Sequence, residues 1–233
     1  MKVSLVIPAY NESTIIDDTV HTAMARLAQV DPDYEIIVVD DGSTDGTPGL
    51  LRPMEGPHLR LEGYSPNRGK GAAVRAGMMA ARGDYIFCTD ADLAYGLENI
   101  PAMLRKLEET GCDLVIGSRR LNGEGYRDYP LVRLITSKGF ALIVRLLSGL
   151  PYDTQCGIKG YRREAAQALF SKCETDGFAF DFEVLLRAQR AGMAVEQEAV
   201  AIVNHRDSKV NLLRDSARMF RDLLRIKARV RQS

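Results

Sequence analysis

Glu35-Ile36-Ile37-Val38-Val39-Asp40-Asp41 is an unbroken apolar run that ends abruptly in two carboxylates. Such a run, short and without polar alternation, reads as a strand covered on both faces, as in the interior of a parallel sheet. Upstream, Val3-Ser4-Leu5-Val6-Ile7 reads as a first strand and Glu12 to Gln29 as the helix between the two; a short third strand follows near Leu59 to Gly63. Asn67-Arg68-Gly69-Lys70-Gly71 opens a helix reaching Ala81, and Gly83 is placed to give it a left-handed C-terminal cap. Asp84 to Thr89 returns as a strand, followed by a helix over about Leu97 to Thr110 and a strand over Asp113 to Gly117. This alternation predicts an α/β fold with a single Rossmann-like, mainly parallel sheet flanked by helices. Polar residues gather where the strands end, the edge at which open α/β sheets bind ligands.

The second half is less regular. It reads as a helical stretch around Leu131 to Ser148, a strand near Gly157 to Tyr161, helices near Arg163 to Phe170 and Phe180 to Ala191, and a strand over Val195 to Val203. A final amphipathic helix starts at about Val210. The chain of 233 residues, 45% of them hydrophobic, supports one sizeable core. Lys plus Arg (31) cancel Asp plus Glu (31), so no global field draws in nucleic acid. Cys88, Cys112, Cys156 and Cys173 are scattered without metal-ligand spacing and read as reduced, buried thiols, which fits a cytoplasmic setting. The N-terminus carries no signal-peptide pattern, and Leu131 to Leu150 holds Arg133, Lys138 and Arg145, too much charge for an ordinary spanning helix.

Chemistry concentrates at three strand ends. Asp90-Ala91-Asp92 closes an apolar strand, and two hard carboxylates aimed at one point, completed by substrate phosphates, suit Mg2+ or Mn2+. Alone, an Asp-x-Asp is equally a helix cap or a solvated turn. It is accompanied by Pro8-Ala9-Tyr10-Asn11-Glu12 after the first strand and Asp40-Asp41-Gly42-Ser43 after the second, the latter also suited to capping a short helix. Asn67 to Gly71 could be a plain glycine turn, but Arg68 and Lys70 add cationic charge to a helix start already suited to an anion.

In this order the motifs resemble the inverting family-two glycosyltransferases of the GT-A fold. That likeness covers roughly the first half of the chain and makes Asp90 and Asp92 the implied metal ligands. Pro8, Tyr10, Glu12, Asp41, Asn67, Lys70, Asp90 and Ala91 are then the donor-binding set, with Asp41 near the base and Glu12 near the ribose. Gly117-Ser118-Arg119, Arg133, Ser137, Gln155-Cys156-Gly157-Ile158-Lys159, Phe180-Asp181-Phe182-Glu183 and Ser208-Lys209-Val210-Asn211 narrow the resemblance to polyprenyl- and dolichyl-phosphate hexose synthases. By that likeness Arg119, Arg133 and Ser137 hold the acceptor phosphate, Lys209 closes on the donor diphosphate, and Asp92, Asp181 and Arg119 are the catalytic candidates. His205 is a weaker candidate for a ligand contact. One departure stands out: the metal triplet continues Leu93-Ala94-Tyr95-Gly96, with no extra polar side chain to complete a metal shell.

The implied reaction is metal-dependent, inverting transfer of a hexose, glucose from UDP-glucose, onto a polyprenyl phosphate. The alternatives are a GDP-mannose donor, a glycan hydroxyl acceptor, or a catalytically idle nucleotide-sugar-binding protein. The expected organisation is a glycosyltransferase domain over 1–209 and a basic amphipathic helix over 210–233. That helix sets Leu213, Ala217, Phe220 and Leu224 along one seam and six arginines elsewhere. It would pack on the domain, pair in a homodimer, or lie on the cytosolic face of a membrane as a peripheral anchor.

Overall fold

The computed structural model describes residues 2–122, 149–204 and 212–232 of the chain. These form a seven-stranded sheet flanked by helices. In chain order the elements are β1 (Val3–Ala9), α1 (Ile16–Leu27), β2 (Glu35–Asp40), α2 (Thr47–Leu51), β3 (Leu59–Gly63), α3 (Lys70–Ala80), β4 (Tyr85–Cys88), α4 (Ile100–Glu109) and β5 (Leu114–Ser118). They continue with β6 (Lys159–Arg162), α5 (Arg163–Phe170), α6 (Phe180–Arg190), β7 (Val195–Ala199) and α7 (Leu212–Gln232). The strand order is β3-β2-β1-β4-β6-β5-β7. All neighbours are parallel except β6, which is antiparallel to both β4 and β5.

The period-two alternation of the strands divides the core. Leu5, Ile7, Ile36, Val38 and Phe87 face α1 and α4 through Ile16, Val20, Leu27, Met103 and Leu107. Val6, Ile37, Val39, Ile86 and Cys88 face the other layer, built from α3, α5, α6 and α7. On α7, Leu223, Ile226 and Val230 are buried in that second layer, whereas Leu224, on the seam expected from the sequence, is exposed, so from residue 221 onward the helix packs a row beside that seam on the domain. Each such side chain contributes roughly 1.5–3 kcal/mol when fully buried. No helix among the described residues is long and apolar enough to cross a membrane.

The chain runs outward from β1 through β2 to β3, then returns to the other side of β1 for β4. The reversal leaves a crevice outside the C-terminal ends of β1 and β4, where open sheets bind ligands. The loops after β1 (Tyr10–Glu12) and β4 (Asp90–Asp92) meet there.

Several boundaries differ from the sequence expectation, each for a visible reason. α1 starts at Ile16, not Glu12, because residues 11–13 are bound by the loop after β2. Glu12 N–H donates to Thr47 Oγ1 (3.0 Å) and Ser13 N–H to Asp45 Oδ2 (3.0 Å). Gly83 does not cap α3, which ends with Ala81 in an extended conformation. Gly83 is instead a packing position: a Cβ there would lie 2.6 Å from Ser4 N, and its own N–H donates to Ser4 Oγ (2.7 Å). Strand β7 stops at Ala199 because the following backbone turns to the Asp90 loop, Val203 N–H donating to Ala94 O (2.8 Å). The helix expected around Leu131 to Ser148 lies outside the described residues.

Candidate active site

The two first loops are locked to each other before any ligand arrives. Asn11 adopts φ +54°, a region tolerated by Asn because its short amide can bond locally. Its N–H donates to Ser43 Oγ (2.8 Å), and its side-chain carbonyl accepts from Thr44 N–H (2.8 Å). Beside it Tyr10 is 43% exposed, a free aromatic face at the crevice rim, while Pro8 sits on β1 opposite Val39.

Asp41 is buried and fully engaged. Its carboxylate accepts from Asn67 Nδ2 (2.7 Å), Arg68 N–H (2.8 Å) and Gly69 N–H (2.9 Å), and Asn67 also donates to the Asp41 carbonyl. The loop that launches α3 thus hangs on Asp41. Close contact makes glycine necessary here: a Cβ on Gly42, at φ +74°, would meet Asn67 N at 2.7 Å. On the other side, Gly71 N–H donates to Asp176 O (2.7 Å). Asp176 belongs to a loop fixed by Glu183, which is fully buried and accepts from Thr175 N–H (2.9 Å) and from Arg187 Nη2 (2.8 Å).

This scaffold delivers Lys70, the first residue of α3, to the end of β4. Its ammonium pairs with Asp90 Oδ1. Burial alone would lower the Lys70 pKa, but the carboxylates of Asp90 and Asp181 outweigh it and raise the pKa. Asp90 Oδ2 lies against Gly157, where a Cβ would collide with it. Asp92 is bonded through Oδ1 to Ala94 N–H (3.1 Å). Burial first, and the Asp90 charge second, hold the Asp92 carboxyl above its ordinary value; the Glu12 charge acts in the same sense. The intervening Ala91 carbonyl accepts from Thr19 Oγ1 (2.6 Å), and Leu93 turns the chain at φ +46°, a strained conformation for a leucine. Asn204 Nδ2 donates to the carbonyls of Asp92 and Leu93 (both 3.2 Å), bracing the turn from outside.

The donor set suits a hard divalent cation: two carboxylates from one turn, close enough for their charges to disfavour each other. Among the described residues no third His, Cys, Asp or Glu joins them to close a cage. Gly157→Ala would drive the Asp90 carboxylate out of place. We expect Mn2+ affinity, titrated with UDP present, to fall about tenfold, as when a group that orients a metal ligand is lost. The melting temperature should move by only a few degrees; unchanged Mn2+ affinity would show that the close approach is irrelevant to the site.

Behind Lys70 lies a second ion pair. Lys159, in β6 and 1% exposed, donates to Asp181 Oδ1 (2.6 Å) and to the Cys156 carbonyl. Burial raises the Asp181 carboxyl despite Lys159 and Lys70. Asp90, Lys70, Asp181 and Lys159 therefore alternate in charge from the crevice into the sheet. Arg119 is separate: it is buried at the end of β5 and closed on Asp153 in a two-pronged pair, Nε–Oδ2 2.8 Å and Nη2–Oδ1 2.7 Å. All four cysteines are buried and unbridged, and burial pushes the Cys88 thiol up to about 12.

Of the sequence candidates, the structure brings Lys70, Asp90, Ala91, Asp92 and Glu12 to one crevice, sets Asp181 buried behind Lys70 and binds Asn67 to Asp41 beside it. Arg133, Ser137, His205 and Lys209 lie outside the described residues. Sequence reasoning did not assign Lys159, Gly157 or Asp153. The available signal was a lysine inside the apolar strand Ile158-Lys159-Gly160-Tyr161, where a charge demands a buried partner.

Comparison with known proteins adds the following. Residues 4–170 match the family described as Glycosyl transferase family 2. The glycosyltransferase AglD of Haloferax volcanii is 35% identical over 230 residues, covering 97% of this chain but only 37% of that protein. The dolichyl-phosphate beta-glucosyltransferases of Dictyostelium discoideum (31% identical) and Saccharomyces cerevisiae (32%) align over 97% and 96% of this chain and 74% and 73% of their own. Among solved structures, glucosyl-3-phosphoglycerate synthase from Mycobacterium tuberculosis, crystallised with Mn2+, UDP and glucosyl-3-phosphoglycerate, superposes with a TM-score of 0.72 at 23% identity. That match covers 97% of this chain and 80% of that one, a likeness of fold.

Proposed function

The chain belongs to glycosyl transferase family 2, and from that premise we propose that it transfers glucose from UDP-glucose, with inversion, to the phosphate of a polyprenyl phosphate at a cytosolic membrane surface. The observation that carries this reading is the alignment of nearly the whole chain with dolichyl-phosphate beta-glucosyltransferases. Exposed Arg221, Arg225 and Arg231 on α7 suit an anionic lipid surface.

Mg2+ or Mn2+ held by Asp90 and Asp92 would neutralise the donor diphosphate and the charge that develops on it as the sugar departs. Lys70 adds a cation at the same place. Pro8, Tyr10, Glu12, Asp41 and Asn67 frame the nucleoside, Asp41 acting largely by fixing the loop over 67–69. A phosphate acceptor, with a second pKa of about 6, is largely dianionic at pH 7 and attacks the anomeric carbon without a base. Asp181 is the base candidate for a hydroxyl acceptor, but its Oδ1 is taken by Lys159 and the residue is buried, which favours the phosphate. Arg119, Arg133 and Ser137 are the acceptor-phosphate set on this reading, Arg119 sharing its guanidinium with Asp153; Lys209 closes on the donor.

UDP-glucose and GDP-mannose, each tested with Mn2+ or Mg2+ against short polyprenyl phosphates, separate the readings. The expected product is a glucosyl phosphodiester cleaved by mild acid. An acid-stable glycoside, or mannose as the only sugar moved, would sink the proposal.

A further inference from the structure

Asp90 is gripped on both oxygens. Oδ2 lies against Gly157, where a Cβ would collide with it, and Oδ1 is paired with Lys70. Lys70 is no casual surface lysine. Its side chain is 25% exposed and that of Asp90 29%, both too sheltered for water to screen the pair fully. Its Nζ lies 6.0 Å from the Phe180 ring centroid, and Asp181 attracts it from behind. The backbone that aims it is fixed on one side by Asp41 and on the other by the Asp176 carbonyl.

A bare divalent cation approaching Asp90 therefore meets an ammonium already in place. A diphosphate changes the balance twice: it offers Lys70 charged oxygen acceptors, and it offers the cation the ligands that two carboxylates leave unfilled.

We propose that Lys70 guards Asp90, so that the site takes up a divalent cation together with a nucleoside diphosphate and takes up the cation alone poorly. This rests on the reading of Asp90 and Asp92 as metal carboxylates. The exchange is purely ionic. The Lys70–Asp90 pair opens, Asp90 Oδ1 passes to the cation, and the ammonium passes to the diphosphate; no covalent bond changes and charge is conserved.

The test uses the full chain, with free Mn2+ followed by electron paramagnetic resonance in the absence and presence of UDP, and needs no sugar transfer. Lys70→Met is expected to bind Mn2+ alone about tenfold more tightly, the order of the effect an adjacent opposite charge has on a carboxylate's affinity for a proton. The same variant should bind UDP in the presence of Mn2+ about tenfold more weakly, because a charge-assisted contact is lost. Lys70→Gln, of similar reach and no charge, should give the same two opposite shifts and serves if the methionine variant misfolds. Unchanged or weaker binding of Mn2+ alone by a folded variant overturns the proposal, even if the parent takes up Mn2+ with UDP and the metal reading stands. No Mn2+ uptake by the parent with UDP overturns both.

Discussion

If Asp92 holds the metal as proposed, Asp92→Asn should lower glucosyl transfer by about 10³-fold while leaving the protein folded, because it removes fixed charge where charge would develop in the reaction. The amide keeps the shape of the carboxylate, and its oxygen still accepts the Ala94 N–H now bonded to Asp92 Oδ1. What disappears is one of the two anions on the turn. Stability should move the other way. Asp92 is sheltered, and Asp90 and Glu12 disfavour its charge, so the neutral variant should melt no lower than the parent. A loss of activity with unchanged or improved stability is the signature of residues arranged for function against their own local energetics. Retention of activity within tenfold of the parent would remove Asp92 from the metal site. A fall of more than 5 °C or so in melting temperature, about 1–2 kcal/mol for a domain of this size, would mean that the residue mainly supports the fold.

The largest effect on stability is expected at Asp153→Ala. Arg119 is buried, and its guanidinium is closed on Asp153 through two side-chain bonds, with the Arg119 N–H adding a third at 3.2 Å. Removing one member of a buried pair strands the other charge and costs about 3–5 kcal/mol. For a domain of this size that corresponds to a melting temperature lower by roughly 10 °C. Replacing both, Arg119→Met with Asp153→Leu, should recover most of the loss, since apolar residues of similar volume do not need the pair. That double variant also decides the role of Arg119: near-parent stability with a greatly raised KM for the polyprenyl phosphate supports acceptor binding, whereas unchanged KM makes the pair structural. Burial alone would raise the Asp153 carboxyl, but Arg119 outweighs it and holds the group below its ordinary 3.8. The contribution is therefore complete above that value and is lost as pH falls through the lower folded value. Urea midpoints of parent and Asp153→Ala, compared between pH 7 and pH 3, should draw closer at the acid end; a constant difference would deny the linkage.

Much of the candidate site was legible along the chain. The run Glu35 to Asp41 sets a buried strand with a polar end by composition alone, and the glycine- and aspartate-rich punctuation after β1, β2 and β4 marks the ligand edge. Local rules suffice there, because strand burial, turn chemistry and the proximity of Asp90 to Asp92 depend on neighbours a few residues apart. α7 shows the limit of such rules. Its amphipathic pattern fitted a membrane, a partner or the core equally well, and only the packing of Leu223, Ile226 and Val230 beside α6 made the choice for its second half.

What the tertiary structure alone decided is which charges face each other. Asp41 meets Asn67 to Gly69, Arg119 meets Asp153, and Lys159 meets Asp181 across separations of 26 to 28, 34 and 22 residues. No periodicity encodes such pairings. The last of these follows from β6 entering the sheet antiparallel between β4 and β5, which sets Lys159 beside Cys88 at the end of β4 and brings Gly157 against Asp90. The sequence by itself determined the fold class, the ligand edge and the two carboxylates. The fold determined that Lys70 and Gly157 hold one of those carboxylates between them, because a low-dielectric interior admits a charge only where a distant part of the chain supplies its partner.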